Sequence, residues 1–485
     1  MSVPRKLVLA VVDGMKPAML QRAVETGQAP AMAAVIERGR FVDECVAAFP
    51  SVTPTCAGTI ATGRRQDAHR IPSMNWYSRA EKRYVEYGSS FSAARRFGVV
   101  QQLTDTVFNM NAEHLPADVP TVFESLDDAD VRTAGTTYLM YRGRYEHQVS
   151  RATALTRLAS TVMRRSVMGP RELFYADIFA SRETPCRSQM GLPGVRDQHA
   201  GCVASYMVEE DLFDFLLLSL PDNDTHSHKH GPHAQVTSIA NADRQLERMF
   251  HAAGGVEAFL DEHAMIIVAD HSHAAVEAAV DLFAPFAELS VLAASGNRAE
   301  DAEIALCPSQ RSAMIYALVP EARDGLVPRL VETSLGIEGV DLAMWRPARR
   351  EGAIAGERGE LRFAPGGDLR DPRGARWSVD GPLEVIGTRV EDGMLRSHDY
   401  PDALARVWAA LTCETSGDVL LSAAPGYEFS DWGGVDHVGG GSHGSLHRSD
   451  SLGALAFCGV DAVHDHEAWS IADVAPMTLA HFGVA

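Results

Sequence analysis

The sequence predicts a doubly wound α/β fold: a mainly parallel sheet sandwiched by helices, with a smaller inserted α/β cap. Three observations predict it. Short apolar runs at residues 7–12, 213–220 and 265–269 are continuous rather than alternating, the pattern of strands buried on both faces. Each run ends on acidic residues: Asp13, then Asp222 and Asp224, then Asp270. Helical periodicity fills the spaces between, for example at 234–253, 403–411 and 471–482, and strands alternating with helices make parallel sheets.

Residues 419–423 and 454–457 read as further strands. The stretch 285–400 differs. Short strands are expected at 303–306, 313–318 and 340–344, a helix at 328–334, and then turn-rich pieces such as 359–367. The expected division is a core of 1–284 and 401–485 carrying an inserted cap of 285–400. The Arg-rich segment 140–200 reads as a second excursion. No internal repeat or low-complexity tract is present.

At roughly 150 residues per domain, 485 residues suggest about three domain-sized units. Such a length buries a large core without staples. The 44 basic and 64 acidic residues give a net charge of −20, which repels nucleic-acid backbones and anionic membranes. A bound phosphate group would need local Arg, Lys or metal to neutralise it. The seven cysteines form no C-x-x-C pair and read as reduced thiols. The first apolar run is too short for a signal peptide and runs straight into Asp13. No run approaches the ~20 apolar residues of a membrane span. The expectation is a soluble, cytoplasmic protein.

In open α/β sheets ligands bind beyond the carboxyl ends of the strands, so residues that follow the strands are the candidates. Asp224 and His228 lie four apart before Gly231-Pro232 and share a face if that turn is helical. Aspartate and neutral histidine suit zinc, and also manganese or iron. His226, His230 and the pair Asp222 with His226 compete for the same role, and a solvated polar loop is the plain alternative. Asp270-His271, with His273 beside it, is a second cluster that also reads as a turn and cap. The glycine-rich stretch 433–445 carries His437 and His443, where glycines permit close backbone approach to a ligand. Asp13 alone reads as a turn former. Thr53-Pro54 fits an N-cap followed by the first helical position. A hydroxyl at a helix start also sits in a field that favours phosphate, and a bound metal would make it a nucleophile.

The order of these clusters resembles the alkaline phosphatase superfamily, most closely its type I phosphodiesterase/nucleotide pyrophosphatase branch. The resemblance runs from Asp13 to His443 and on to the final helix. Thr62-Gly63 sets the register of a threonine nucleophile on Thr53, and residues 67–71 look like the family's next stretch. Gly231-Pro232 sets the D-x-x-x-H register on Asp224 and His228. Asp270-His271 matches the strand-end pair, and the G-S-H-G context selects His443 over His437. The resemblance implies one metal held by Asp224, His228 and His443. It implies a second held by Asp13, Asp270 and His271, with Thr53 bound to it. Asn75, one residue out of register, is the nearest match to a phosphate-binding Asn.

Two divalent ions, zinc foremost with manganese or iron as alternatives, would clamp an in-line displacement from roughly 4 Å apart. A phospho-threonine would form and be hydrolysed, with net retention at phosphorus. The implied partner is a small-molecule phosphodiester or related phosphoryl compound rather than polymeric nucleic acid. Phosphonate hydrolase and phosphomonoesterase are alternatives within the superfamily; the C/S-x-P-x-R sulfatase motif does not fit Cys56. A neutral Asn75 suits a diester monoanion, and Arg or Lys would suit a monoester dianion. Trp76, Tyr77 and Tyr84 read either as a surface for a base or leaving group, or as core aromatics. The alternative of another class is a catalytically silent metal-binding protein.

Overall fold

The computed structural model describes residues 6–149, 166–176, 178–188, 194–295, 298–464 and 468–484. At its centre lies β1 (Lys6–Val12). It pairs in parallel with β2 (Phe215–Leu220) on one side and β3 (His263–Val268) on the other. The sheet continues outward from β2 through strands Thr133–Thr136, Glu172–Tyr175 and Phe179–Ala180. Beyond β3 come antiparallel Leu452–Cys458, then Arg40–Val46, then Trp469–Ser470.

The continuous apolar runs are explained by burial on both faces. Leu7, Leu9 and Val11 pack into one core with Cys56, Ala57 and Ile60. Val8, Ala10 and Val12 face the other way, against Leu20, Val35, Val203 and Leu246. Side chains alternate across a strand, so a strand covered by helices on both sides must be apolar at every position.

A second, largely antiparallel sheet holds Ile304–Ser309, Ser312–Ala317, Val340–Ala348, Glu351–Gly356 and Gly359–Arg370, with shorter strands to 397. Helix Arg323–Leu335 lies where residues 328–334 read as helical. One strand departs from the expected division. Val419–Ala423 lies in this second sheet, between Ser312–Ala317 and Val340–Ala348. The chain beyond residue 400 therefore serves both sheets. The run is equally apolar in either place, and only pairing decides which sheet it joins.

Two cysteines also correct the expectation of reduced thiols: Cys186 and Cys202 form a disulfide. The other five are buried free thiols. Helix Arg196–Glu209 turns Cys202 back toward the segment before it, leaving the two Cα atoms 5.7 Å apart, within disulfide reach. No helix among the described residues is long and apolar enough to cross a membrane. The expected excursion at 140–200 lies partly outside the described residues. Its described part gives a hairpin of Tyr145–Gln148 with Ser166–Gly169 and two edge strands of the main sheet.

Candidate metal centre

The side chains at the centre arrive from strand ends, from the helix that follows β2 and from the segments flanking a further small sheet. Asp13 follows β1, and Asp270 and His271 follow β3. After β2 the chain enters helix Asp222–His230. Its start is fixed by reciprocal capping. The Asp222 amide donates to Asp197 Oδ1 and the Asp197 amide to Asp222 Oδ2, both 3.0 Å. Asn223 Nδ2 donates to the Asp13 carbonyl at 2.7 Å, which ties this helix to the end of β1. A three-stranded sheet brings up the remainder. Ala274 of strand Ala274–Val280 pairs with Ser442, which sets His273 beside His443.

Two groups of donor atoms result, each gathered within 4.8 Å: Asp224, His228, His273 and His443; and Asp13, Asp224 and His271. Asp224 belongs to both. Its Oδ1 lies 2.9 Å from His273 Nε2, 3.3 Å from His228 Nε2 and 3.4 Å from His443 Nε2. His271 Nε2 lies 3.5 Å from Asp13 Oδ1 and 3.5 Å from Asp270 Oδ2. The rings of His271 and His443 stack at 3.7 Å, joining the groups.

The proton positions decide what this arrangement fits. His228 Nδ1 donates to the Gly441 carbonyl, His443 Nδ1 to the Ser51 carbonyl and His271 Nδ1 to the Ser272 carbonyl. A carbonyl only accepts, so in the neutral rings Nε2 is a bare lone pair. Burial pushes His271 and His443 down to about 4, which keeps both neutral. Their lone pairs then face carboxylate oxygens with no proton between. Asp13 Oδ1 is buried with no hydrogen-bond partner. Burial, with the charges of Asp270 and Asp224, pushes the Asp13 carboxyl well above its usual range. Burial also raises Asp224, but the imidazoles of His228, His273 and His443 gathered around it outweigh burial and hold that carboxyl well below the range. Converging lone pairs and carboxylates in a buried site suit divalent cations, and mixed imidazole and carboxylate donors suit zinc, manganese or iron.

Thr53 stands at the edge of this centre. It opens helix Thr53–Thr62 as its first residue; the preceding position is Val52, in extended conformation, and no side chain caps the helix. This corrects the N-cap expectation, and it frees the hydroxyl. Thr53 Oγ1 lies 3.2 Å from His271 Nε2, whose lone pair accepts from it.

The competing residues lie elsewhere. Asp222 accepts from Arg196, and His226 bonds the Ala234 carbonyl. His230 stacks on His226. His437 is held by Glu428 at 2.8 Å and stacks on His228 at 4.0 Å, outside both donor groups. Asn75 departs from the expected role. Its Nδ2 is committed to the Val85 carbonyl and to Glu86 Oε2, so Oδ1 is its unpartnered atom. A phosphate oxygen needs a donor, and this side chain presents an acceptor. Trp76 and Tyr77 are buried: Trp76 meets His114 edge-on, and Tyr77 packs against Tyr84 and Tyr316. Of the two readings open for these aromatics, their contacts favour core packing. His273 is the residue that sequence reasoning left without a role. The signal was present, two histidines within three residues after Asp270.

A mainly parallel sheet with carboxylates and imidazoles collected at its strand ends is the architecture of the alkaline phosphatase-like metal-dependent hydrolases. The chain belongs to the type I phosphodiesterase / nucleotide pyrophosphatase family, whose profile matches residues 7–346. No curated protein matches the sequence. Among solved structures it is similar to human ectonucleotide pyrophosphatase / phosphodiesterase 5, at 11% identity and a TM-score of 0.56 over 99% of this chain and 95% of that one. It is similar also to phosphonoacetate hydrolase from Sinorhizobium meliloti 1021 in complex with phosphonoformate, at 15% identity and 0.56 over 100% and 97%. The murine ectonucleotide pyrophosphatase / phosphodiesterase 5, as an inactive threonine-to-alanine variant in complex with AMP, aligns at 9% identity and 0.57 over 99% and 96%. At these identities the likeness is one of fold.

Proposed function

We propose that the protein is a phosphohydrolase working with two divalent ions, zinc foremost, that cleaves small phosphodiesters or nucleotide pyrophosphates through a phospho-threonine at Thr53. One ion would be held by Asp224, His228 and His443, the other by Asp13, Asp270 and His271 with Thr53. The observation that carries this reading is the Thr53 hydroxyl 3.2 Å from His271 Nε2, at the edge of two donor groups that share Asp224. The AMP held by the murine relative's inactive threonine-to-alanine variant agrees with it.

When bound, the ions supply Lewis acidity and neutralise the phosphoryl oxygens of the substrate. The chain supplies the rest. Helix Thr53–Thr62 aims its first hydroxyl at the site, and its N-terminal amides add a positive field toward the phosphoryl group. The Thr53 hydroxyl gives up its proton and Oγ attacks phosphorus in line as the bond to the leaving oxygen breaks; the leaving alcohol or phosphate departs, taking up a proton as needed, and water then attacks phosphorus, breaks the Thr53–phosphate bond and returns a proton to Oγ. Two inversions give retention. The imidazoles of His228, His443 and His271 keep their orientation throughout because each Nδ1 proton is anchored on a backbone carbonyl.

The test is a substrate panel on Zn²⁺- or Mn²⁺-loaded protein: bis(p-nitrophenyl) phosphate, a nucleotide pyrophosphate, a monoester and a phosphonate, each with and without EDTA. EDTA-sensitive turnover fastest on the first two is expected. Preference for the phosphonate or monoester would move the assignment within the superfamily. No turnover on any of them would leave a silent metal-binding protein.

Proton competition gives a second expected result. Burial raises the Asp270 carboxyl to about 6. Below that pH the group holds a proton that an incoming ion must displace, so metal affinity should fall as pH drops through 6. His271 and His443, at about 4, are already deprotonated there. Chelator competition with Zn²⁺ between about pH 5 and pH 7.5 measures this, and a flat profile would contradict it.

A further inference from the structure

We propose that His273 is a positioning residue: it donates its Nε2 proton to Asp224 and fixes the one carboxylate shared by both donor groups, without itself binding an ion. The inference rests on the two-ion reading above. His273 is completely buried just before strand Ala274–Val280. Its Nε2 is 2.9 Å from Asp224 Oδ1, against 3.3 and 3.4 Å for His228 and His443. The first distance is that of a made hydrogen bond; the other two are longer than a charge-assisted one.

The ring's other nitrogen separates His273 from its neighbours. His228, His271 and His443 each anchor an Nδ1 proton on a backbone carbonyl, which leaves Nε2 bare for a cation. His273 Nδ1 is buried with no hydrogen-bond partner. A proton there would be a buried donor without an acceptor, which is expensive. The proton therefore sits on Nε2, where Asp224 accepts it, and a protonated nitrogen is not a ligand. Room for the ring is provided at Gly14. This residue has a φ of +65°, and a Cβ on it would lie 2.6 Å from His273 Cδ2 and Nε2. Gly14 in turn donates its amide to Asp270 at 3.1 Å. One turn thus admits the orienting ring on one side and holds the Asp270 carboxylate, assigned above to the second ion, on the other. Such outer partners tune affinity by orienting ligands, typically by 10–100-fold.

The experiment compares wild type with His273→Met, which lacks the donor, and His273→Gln, whose amide can donate from nearly the same place. Ion stoichiometry is measured at saturating Zn²⁺, affinity by chelator competition, and coordination from the visible spectrum of Co²⁺-loaded protein. Wild type should hold two ions. His273→Met should still hold two at saturation with an unchanged Co²⁺ spectrum, but bind them roughly 10–100-fold more weakly. His273→Gln should return to within about threefold of wild type. A His273→Met protein that holds one ion, or whose Co²⁺ spectrum shows a lost nitrogen, makes His273 a ligand and overturns the proposal. Unchanged affinity in His273→Met overturns it too, as does a glutamine variant no better than methionine. If the methionine variant does not fold, the glutamine variant decides alone: one ion, or affinity tenfold below wild type, refutes the donor role. Wild type holding fewer than two ions would instead remove the two-ion reading, and this inference with it.

Discussion

Thr53→Ala should lower kcat on bis(p-nitrophenyl) phosphate by about 10³-fold or more, with the fold intact. The size follows from the role. Loss of a nucleophile removes the covalent route altogether, and what remains is the binding of a polarised substrate. The fold should tolerate the change because Thr53 caps nothing. Helix Thr53–Thr62 takes its buried contacts from Pro54 to Ala61, and it ends at Gly63 with a φ of +66°. Alanine is also a good helix residue. Thr53→Ser, which keeps the hydroxyl, should retain most of the activity. Full turnover by Thr53→Ala on every phosphoryl substrate would end the nucleophile assignment, whatever the ion content proved to be.

Asp224→Asn should have the second large effect, on ion content as well as on rate. Asp224 is the one residue common to both donor groups, and its carboxylate charge is what three imidazoles surround. An asparagine is nearly isosteric but neutral, and it brings an N–H where an acceptor is needed. Elemental analysis after exhaustive dialysis should show fewer than two ions, and activity should fall by about 10²-fold or more, recovering in part with excess metal. Asp270→Asn and His443→Ala should each lower ion content at the one proposed ion to which that residue is assigned. Two tightly bound ions in Asp224→Asn would mean that the shared carboxylate does not bridge the sites. His437→Ala should matter less, since His437 reaches the centre only by stacking on His228.

The legible part of this protein was local. The apolar runs at 7–12, 213–220 and 265–269 became β1, β2 and β3 because strands covered on both faces leave a pattern no other element leaves. Because strand ends gather at one sheet edge, Asp13 could be set together with Asp224, Asp270 and His271, more than 200 residues further along the chain. The four-residue spacing of Asp224 and His228 needed only a helical turn, and the turn is there.

What the sequence determined alone was which backbone segments are buried strands or helices, and therefore which polar residues must stand at their ends. Tertiary structure decided the rest: that Val419–Ala423 joins the second sheet, that Cys186 meets Cys202, that Trp76 and Tyr77 turn into the core, that Asn75 gives its amide to its own hairpin. It also placed His273 against Asp224 through a strand pairing between residues 274 and 442. The physical reason is that periodicity records whether a side chain is buried but not what it is buried against. Partners, proton positions and the direction of a hydrogen bond are properties of atoms brought within about 3 Å, and only the folded chain brings them there.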